Sequence, residues 1–351
     1  MISISMCMIV KNEAAILERC LNSYKDIYDE LIIVDTGSTD NTKEIASEYT
    51  DKIYDFEWTN DFSAARNYAF SKATCDYIFS ADADEELDEA NNKALLDIKS
   101  VLLPEIDIVQ MYYVNANDLN SVYNTKRELR PKLFKRLRTF TWISPIHETV
   151  RLTPIVFDSD VEILHKPVCS HSKRDFSTYK NAVNNNITLE NYVVNMLCKE
   201  LLISGDDSDL LEFAEILNKL SKDSIRSNDV LQSINCVLVK IFRIKNDYNS
   251  FFKLALKSVA DNPCSEICYE LGNYYFGIKD YEEAILWYYN AAYETESILD
   301  ITSSGKKPLC QLGKCYEFLA NITTDKEVSY NYLNISKEYY DKADKWELPE
   351  E

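Results

Sequence analysis

The first 90 residues alternate short apolar runs with helical patterns, and this alternation constrains the fold more than any other feature. The apolar runs are rich in β-branched and aromatic side chains, which is typical of buried strands. The four candidate strands are Ser3–Val10, Leu31–Val34, Lys52–Phe56 and Tyr77–Phe79. Strands that alternate with helices predict an α/β fold with a doubly wound, mostly parallel sheet and right-handed crossovers.

Polar segments follow three of these strands at the point where each strand ends. The segments are Lys11–Glu13, Asp35–Asp40 and Asp82–Glu85. Because ligands bind beyond the carboxyl ends of strands in an open α/β sheet, we expect the three segments to meet in one crevice. Asp82 and Asp84 have the spacing to hold one hard divalent cation, Mg²⁺ or Mn²⁺, together with phosphate oxygens. A solvated acidic loop is the alternative interpretation.

Composition excludes several classes of function. The 351 residues include 38 basic and 58 acidic side chains, a formal net charge of -20, which argues against nucleic-acid binding. The six glycines form neither a dinucleotide fingerprint nor a P-loop. No apolar run reaches the length of a membrane span, and Met1–Val10 reads as a strand rather than a signal peptide. We therefore expect a cytoplasmic protein.

The ten cysteines are scattered and form no Cys-x-x-Cys pair. Cysteines of a cytosolic protein are normally reduced, and such thiols are often buried. We therefore expect buried thiols rather than a zinc site.

The pattern over Ile108–His165 is again β-like, and all three histidines of the chain lie in or just after it: His147, His165 and His171. The remainder of the chain is helical. The run Tyr179–Leu201 predicts one exit helix with an apolar stripe.

Small and aromatic side chains recur at fixed intervals near the carboxyl terminus. Leu271–Gly272 opens a pattern of aromatic residues and alanines with the spacing of a tetratricopeptide repeat. A second copy starts at Leu312–Gly313 with its second helix delayed by an insertion, and Phe252, Ala255 and Pro263 mark a weaker copy before the first. Gly and Ala let paired helices approach while aromatic rings fill the gaps. The concave face of such an array often binds a peptide.

With these motifs in view, the amino-terminal half resembles the family 2 glycosyltransferases of the GT-A fold, over roughly residues 1–200. Four motifs in the family's order carry the resemblance: Met8–Glu13, Ile33–Thr42, Phe62–Asn67 and Asp82–Glu85. The tetratricopeptide-like tail makes the chain similar to a bacterial branch that includes transferases acting on cysteine or serine of bacteriocin precursor peptides. The resemblance implies metal-dependent, inverting transfer of a hexose from a UDP-sugar to a peptide or protein, with Mn²⁺ or Mg²⁺ as cofactor.

The resemblance also implies roles for individual residues. Those expected to bind the nucleotide-sugar are Val10, Glu13, Asp35, Ser38, Arg66 and Asp82. Asp35 would contact uracil or ribose, and Asp82 would hold the ribose and approach the metal. Asp84 would ligate the metal directly, and His165 would complete its shell. Arg66 would neutralise phosphate; a salt bridge to a neighbouring acid is the alternative.

The catalytic base is expected on a later loop. Ile146–Glu148 matches a His-Glu motif of the branch, so Glu148 is the expected base that takes the acceptor proton. His147 would orient Glu148 or act as the base for a thiol acceptor. Histidines that only brace the acceptor subdomain are the alternative. The chain departs from the family at Lys166–Val168, where a Gly-Tyr pair often follows the late histidine, and the absence of a Gln-x-x-Arg-Trp motif argues against polymer synthesis.

Three regions with different tasks are expected along the chain. Residues 1–175 would form the GT-A domain, with a nucleotide-sugar half (1–100) and an acceptor half (101–175). Connecting helices would occupy residues 176–230. Helical repeats that hold the acceptor would occupy residues 231–351. A cell-surface glycan or lipid-linked acceptor is an alternative, and a non-catalytic repeat scaffold with a degenerate transferase domain is a second. Self-association of the chain is compatible with the sequence.

Overall fold

The computed structural model describes residues 1–115, 127–144, 146, 149–150, 155–167, 172–185 and 187–348. The candidate base Glu148 and its neighbour His147 lie outside the described residues, as does His171. The chain divides into two compact units, Met1–Ile187 and Thr188–Pro349. The three regions expected from the sequence, with their separate tasks, stay a prediction.

A mixed, mostly parallel sheet is the framework of the first unit. The described strands are β1 (Ile4–Val10), β2 (Glu30–Asp35), β3 (Ile53–Asp55), β4 (Tyr77–Ala81), β5 (Glu85–Glu86), β6 (Ile108–Asn115), β7 (Arg127–Lys135), β8 (Trp142–Ile143), β9 (Thr149–Val150) and β10 (Val156–His165). Eight of the described strands form one sheet in the order β3-β2-β1-β4-β7-β6-β10-β5, and β8 and β9 form a separate antiparallel ribbon. The pairs β2–β3, β1–β2, β1–β4 and β6–β10 are parallel, whereas β7 is antiparallel to both of its neighbours.

Helices cover both faces of this sheet. The described α-helices of the first unit are α1 (Leu17–Ser23), α2 (Thr42–Ser47), α3 (Phe62–Phe70), α4 (Glu89–Val101) and α5 (Ser172–Asn184). Alternate residues of β2 enter different cores: Ile33 packs in one hydrophobic cluster, while Ile32 and Val34 pack in another. Burial on both faces explains why this strand is a continuous apolar run, and the doubly wound α/β fold expected from the sequence is confirmed.

Consecutive helices pack into hairpins in the second unit. The described α-helices are α6 (Asn191–Ile203), α7 (Asp207–Leu220), α8 (Asn228–Ile244), α9 (Tyr248–Asp261), α10 (Ser265–Gly277), α11 (Tyr281–Tyr289), α12 (Lys306–Ile322) and α13 (Lys326–Asp344). Three short connections, before α9, α11 and α13, end in an aspartate whose carboxylate accepts a backbone N–H of the next helix. These residues, Asp247, Asp280 and Asp325, are helix N-caps at equivalent positions of three successive hairpins.

The glycines of the repeat pattern lie where paired helices approach most closely. A Cβ atom on Gly272 of α10 would lie 2.6 Å from the ring of Tyr288 on α11. A Cβ on Gly313 of α12 would lie 2.9 Å from the ring of Tyr340 on α13. The same contact therefore recurs in two hairpins, as the repeat pattern predicts. Among the described helices, none combines the length and the apolar character that crossing a bilayer requires.

One expected element is wrong. The sequence predicts a single helix over Tyr179–Leu201, but α5 ends at Asn184 and α6 begins at Asn191. Asparagine is a poor residue for a helix interior because its side chain competes for backbone hydrogen bonds, and asparagines are concentrated at this break. The boundary between the two compact units also falls here, after Ile187.

Candidate active site

Three parallel strands end at the same edge of the sheet and bring the polar segments together. The register pairs Val10 of β1 with Asp35 of β2, and Met8 of β1 with Ala81 of β4. The segments that follow these strands therefore start side by side. They share one edge of the sheet, as the alternation of strands and helices predicts.

The first two segments are joined by hydrogen bonds. The backbone N–H of Asn12 donates to Oγ of Ser38 (2.9 Å), and Oδ1 of Asn12 accepts the N–H of Thr39 (2.7 Å). Asp40 accepts the N–H of Ala14 (3.1 Å). Asn12 adopts φ 58°, a left-handed conformation that asparagine tolerates better than most residues. Both segments are thus fixed before any ligand binds.

Asp35 presents a buried acceptor atom to this crevice. Its Oδ1 accepts the backbone N–H groups of Gly37 (3.0 Å) and Ser38 (2.9 Å). Gly37 has φ 102°, which a residue with a side chain rarely adopts. Asp35 is only 2% exposed, and its Oδ2 has no hydrogen-bond partner among the described residues. A buried acceptor without a donor is costly, so this atom fits an N–H or O–H group of a ligand.

The Asp-x-Asp segment is joined to the far strand of the sheet. The short strand β5 pairs antiparallel with β10, which places Glu85 opposite His165. The backbone N–H of Lys166 donates to the carbonyl oxygen of Asp84 (2.8 Å), and Nε2 of His165 lies 3.1 Å from Oδ2 of Asp84. Oδ1 of Asp84 is buried and has no hydrogen-bond partner among the described residues. The structure thus brings together two of the three expected metal ligands.

Asp82 lies between two cationic side chains. Its Oδ1 accepts Nη2 of Arg66 (2.8 Å), and its Oδ2 is 3.9 Å from Nζ of Lys132. Burial opposes ionisation of Asp82, but the charges of Arg66 and Lys132 outweigh it and hold the pKa of the carboxyl well below its usual range. Arg66 also donates to Oγ of Ser80 (3.1 Å) and lies over the ring of Trp142 (4.9 Å). Arg66 therefore forms a salt bridge with Asp82, which is the alternative interpretation that the sequence left open for this residue.

Glu13 is surrounded mainly by other acids. Burial raises its pKa to about 7, and the charges of Asp84, Asp40 and Asp82 act in the same direction. Arg174 on α5 opposes the shift. An excess of negative charge at this edge favours a bound cation over a free anion.

A buried ion pair that the sequence analysis did not predict holds the last residue of the acidic segment. Lys132 on β7 pairs with Glu85; they are 5% and 0% exposed, respectively. Burial raises the pKa of Glu85, and the positive charge of Lys132 opposes this shift. Arg130, two residues before Lys132 on the same face of β7, lies 3.8 Å over the ring of Tyr113. The ring of Tyr113 is 4.9 Å from that of His165, so Tyr113 separates the cation from the imidazole.

Lys132 and Arg130 occupy alternate positions of a strand, which is the one local signal that they share a face. Two basic residues at that spacing are too common to predict a site by themselves.

Val10 is buried in the core, and its carbonyl oxygen accepts the N–H of Thr36. Val10 therefore supports the base of the crevice through its backbone.

The donor set fits a divalent cation. Asp84 and His165 supply a carboxylate and an imidazole that lie 3.1 Å apart, and Oδ1 of Asp84 is a buried oxygen without a partner among the described residues. Oxygen ligands with one imidazole suit Mn²⁺ or Mg²⁺.

Fold and site together define the class of the first unit. A doubly wound, mostly parallel sheet with an Asp-x-Asp segment at the end of its fourth strand is the GT-A glycosyltransferase fold. Residues 5–152 match the model of the family described as Glycosyl transferase family 2. Over these residues the first unit is similar to that family.

Relatives of the chain include glycosyltransferases and a repeat protein. The SPbeta prophage-derived glycosyltransferase SunS of Bacillus subtilis is 34% identical over 131 residues, which cover 36% of this chain and 31% of that protein. A TPR repeat-containing protein of Synechococcus elongatus is 55% identical over 87 residues, 25% of this chain and 22% of that protein. The chain thus spans less than a third of the length of these relatives.

A solved structure overlaps the chain more loosely. It is glucosyl-3-phosphoglycerate synthase from Mycobacterium tuberculosis in complex with Mn²⁺, UDP and glucosyl-3-phosphoglycerate. The two share 14% sequence identity with a TM-score of 0.39, over 51% of this chain and 76% of that one.

Proposed function

We propose that this chain is a metal-dependent, inverting glycosyltransferase that moves a sugar from a UDP-sugar to a peptide or protein acceptor. The observation that carries the proposal is the pair formed by Asp84 and His165. One oxygen of Asp84 lies 3.1 Å from the imidazole, while the other is buried without a partner among the described residues. This atom gains a partner if a cation binds there.

Mn²⁺ or Mg²⁺ is the proposed cation, held by Asp84 and His165 with Asp82 beside them. When bound, such a cation offsets the charge that develops on the diphosphate as the sugar leaves. Arg66 and Lys132 keep Asp82 ionised, so that its carboxylate accepts hydrogen bonds from a ribose. Their positive charge also limits repulsion between Asp82 and Asp84.

Asp35 is proposed to bind the uracil or ribose. Its Oδ1 is held by two backbone donors, which fixes the direction in which the unpartnered Oδ2 points. Glu13 and Ser38 line the same pocket, and the hydrogen bonds between their segments hold it in shape. A preorganised pocket of this kind orients the donor for in-line attack.

Glu148 is proposed as the base and His147 as its helper, and both lie outside the described residues. The helical unit is proposed to hold the acceptor, because arrays of helical hairpins offer extended surfaces to peptides. A cytoplasmic location stays a prediction.

The test is UDP release from a panel of UDP-sugars, with Mn²⁺ and with a chelator instead. Many transferases slowly hydrolyse their donor, so the assay works before the acceptor is known. We expect metal-dependent release from one sugar, its loss in Asp84→Asn, and its retention in the control Asp97→Asn, a change of an exposed acid on α4. Asp35→Asn should weaken UDP binding while leaving metal binding intact.

An acceptor panel then separates the proposal from its alternative. Peptides with serine, threonine or cysteine should be glycosylated, and lipid-linked or surface glycans should not. The proposal of a transferase fails if no donor is hydrolysed and calorimetry detects no binding of UDP with Mn²⁺. In that case the helical repeats become the functional part of the chain.

A further inference from the structure

Two cysteines and a glutamate from separate parts of the sequence meet inside the helical unit. Cys236 lies on α8, Cys264 is the residue just before α10, and Glu266 is in the first turn of α10. The two sulfur atoms are 3.5 Å apart, and a carboxylate oxygen of Glu266 lies within 4.8 Å of both. The three residues are 1%, 0% and 4% exposed, respectively. They form an enclosed cluster of potential metal ligands.

Backbone donors hold the carboxylate of Glu266 in place. Its Oε1 accepts the N–H groups of Ile298 (2.9 Å), Leu299 (2.7 Å) and Asp300 (3.0 Å). Its Oε2 is buried and has no hydrogen-bond partner among the described residues. Hydrogen bonds to one oxygen of a carboxylate orient it for metal binding through the other. An oriented but unsatisfied buried oxygen is costly unless something binds it.

We propose that Cys236, Cys264 and Glu266 bind Zn²⁺ in the second unit, at a site separate from the candidate active site. Thiolate and carboxylate are both ligands that zinc takes in proteins. Two sulfurs bound to one tetrahedral zinc, each at about 2.3 Å, are about 3.8 Å apart. The observed 3.5 Å is within a few tenths of an ångström of that separation. The three residues would supply three of the four ligands of a tetrahedral zinc.

Burial of all three ligands determines when the metal binds. Because all three ligands are buried, we expect zinc to enter as the helices assemble, and both thiols lose their protons to solvent at that step. The ion then links the start of α10 to α8, and through Glu266 to the 298–300 segment. It acts as a structural link within the repeat unit.

The experiment measures zinc in the full chain, expressed in zinc-supplemented medium and desalted. An Asp84→Asn background removes a ligand of the candidate active site, so that metal held there is not counted. We expect about one zinc per chain, unchanged when Cys315→Ser is added as a control for loss of a buried thiol outside the cluster. Cys236→Ser and Cys264→Ser should reduce the zinc to the level of a desalted blank.

Glu266→Gln is the sharpest variant, because glutamine keeps an oxygen for the three backbone donors but replaces the other oxygen with an amide. In competition with a chromophoric chelator we expect zinc to bind about 10- to 100-fold more weakly. X-ray absorption of the zinc-loaded parent chain should show sulfur at about 2.3 Å, a result that does not depend on whether any variant folds.

Three results would each overturn the proposal. The first is a folded parent chain, helical by circular dichroism, that retains no zinc. The second is equal zinc in the parent and in the Cys236→Ser/Cys264→Ser double variant. The third is a denatured, metal-free chain with two fewer free thiols than cysteines, which indicates a disulfide instead. None of these measurements involves UDP-sugars, so the outcome is independent of the proposed transferase activity.

Discussion

The side-chain amide of Asn67 on α3 pairs with both backbone polar groups of Trp142 on β8. Its Nδ2 donates to the carbonyl oxygen of Trp142 (3.0 Å), and its Oδ1 accepts the N–H (2.8 Å). The preceding residue, Arg66, covers the ring of Trp142 and binds Asp82. One turn of α3 therefore connects the β8–β9 ribbon to the acidic segment.

Asn67→Ala should lower the free energy of unfolding of the first unit by about 1–3 kcal/mol, because two partly buried backbone groups lose their partner. Urea denaturation measures the change. Asn181→Ala on α5 is the matched control, since no hydrogen bond of that side chain occurs within the described residues and a small effect is expected. Equal losses in the two variants would contradict the role assigned to Asn67.

Lys132→Met should lower the free energy of unfolding by about 3–5 kcal/mol, because it leaves the carboxylate of Glu85 buried without its cation. The double variant Lys132→Met/Glu85→Gln should recover much of that loss, since it removes both charges. Urea denaturation of both single variants and the double variant gives the coupling free energy. If the double variant loses as much as the sum of the single variants, the two residues do not act as a pair.

Glu13→Gln should change stability in a pH-dependent manner. The folded-state pKa of about 7 exceeds the ordinary value of 4.5, so the contribution of Glu13 is fully present below pH 4.5 and is lost as the pH rises through 7. Above that pH the folded chain holds an unfavourable negative charge, which glutamine removes. We expect a gain of about 1 kcal/mol at pH 8.5, allowing for solvent screening of a partly exposed side chain, and no gain at pH 4.

The measurement for Glu13 is thermal unfolding at both pH values, with a chelator present so that no metal alters the charge balance. Glu18→Gln, a change of an exposed acid on α1, controls for the general loss of one negative charge. The same gain for Glu13→Gln at pH 4 and pH 8.5 would show that burial among acids is not the cause.

Gly272→Ala should destabilise the helical unit by about 1–3 kcal/mol, because the new methyl group would lie 2.6 Å from the fully buried ring of Tyr288. Gly277→Ala, at the end of the same helix, meets no atom within 4 Å and should be neutral or slightly stabilising. Circular dichroism during thermal unfolding separates the two. Similar effects at both positions would mean that helix propensity, not close packing, explains the glycine.

The parallel part of the sheet was predictable because its signals are local. Apolar runs of four to eight residues followed by turn formers identify strands buried on both faces. Once β1, β2 and β4 are parallel neighbours, the placement of Asp35 and the Asp82–Glu85 segment at one edge of the sheet follows from chain direction alone. The binding roles of Asp35 and Asp82 come from the family resemblance and stay a prediction.

The approach of His165 to Asp84 was expected only from the family resemblance. It depends on β5, a strand of two residues that pairs with β10 about 80 positions later, and no local pattern predicts so short a partner. Lys132 and Glu85 were missed for the same reason, since the pairing of a lysine on β7 with an acid after β4 is visible only in three dimensions.

The cysteine cluster shows the limit of motif spacing. Cys236 and Cys264 are 28 positions apart, with no Cys-x-x-Cys pair to mark them, and the sequence predicts ordinary buried thiols at both. They meet because α8 packs against the start of α10. The break between Asn184 and Asn191 was missed because an amphipathic stripe continued through it, and the stripe outweighed the weak helix propensity of asparagine.

The pairing of β5 with β10 determines where the chain can be truncated. The family match ends at residue 152, before β10 begins at Val156. A fragment that stops there would lose His165, leave β5 without its partner strand and expose one edge of β6 to other molecules. The family boundary is therefore not a folding boundary. A recombinant fragment of the first unit therefore needs the chain at least through Lys166. The backbone N–H of Lys166 donates the last hydrogen bond between these strands, to the carbonyl oxygen of Asp84.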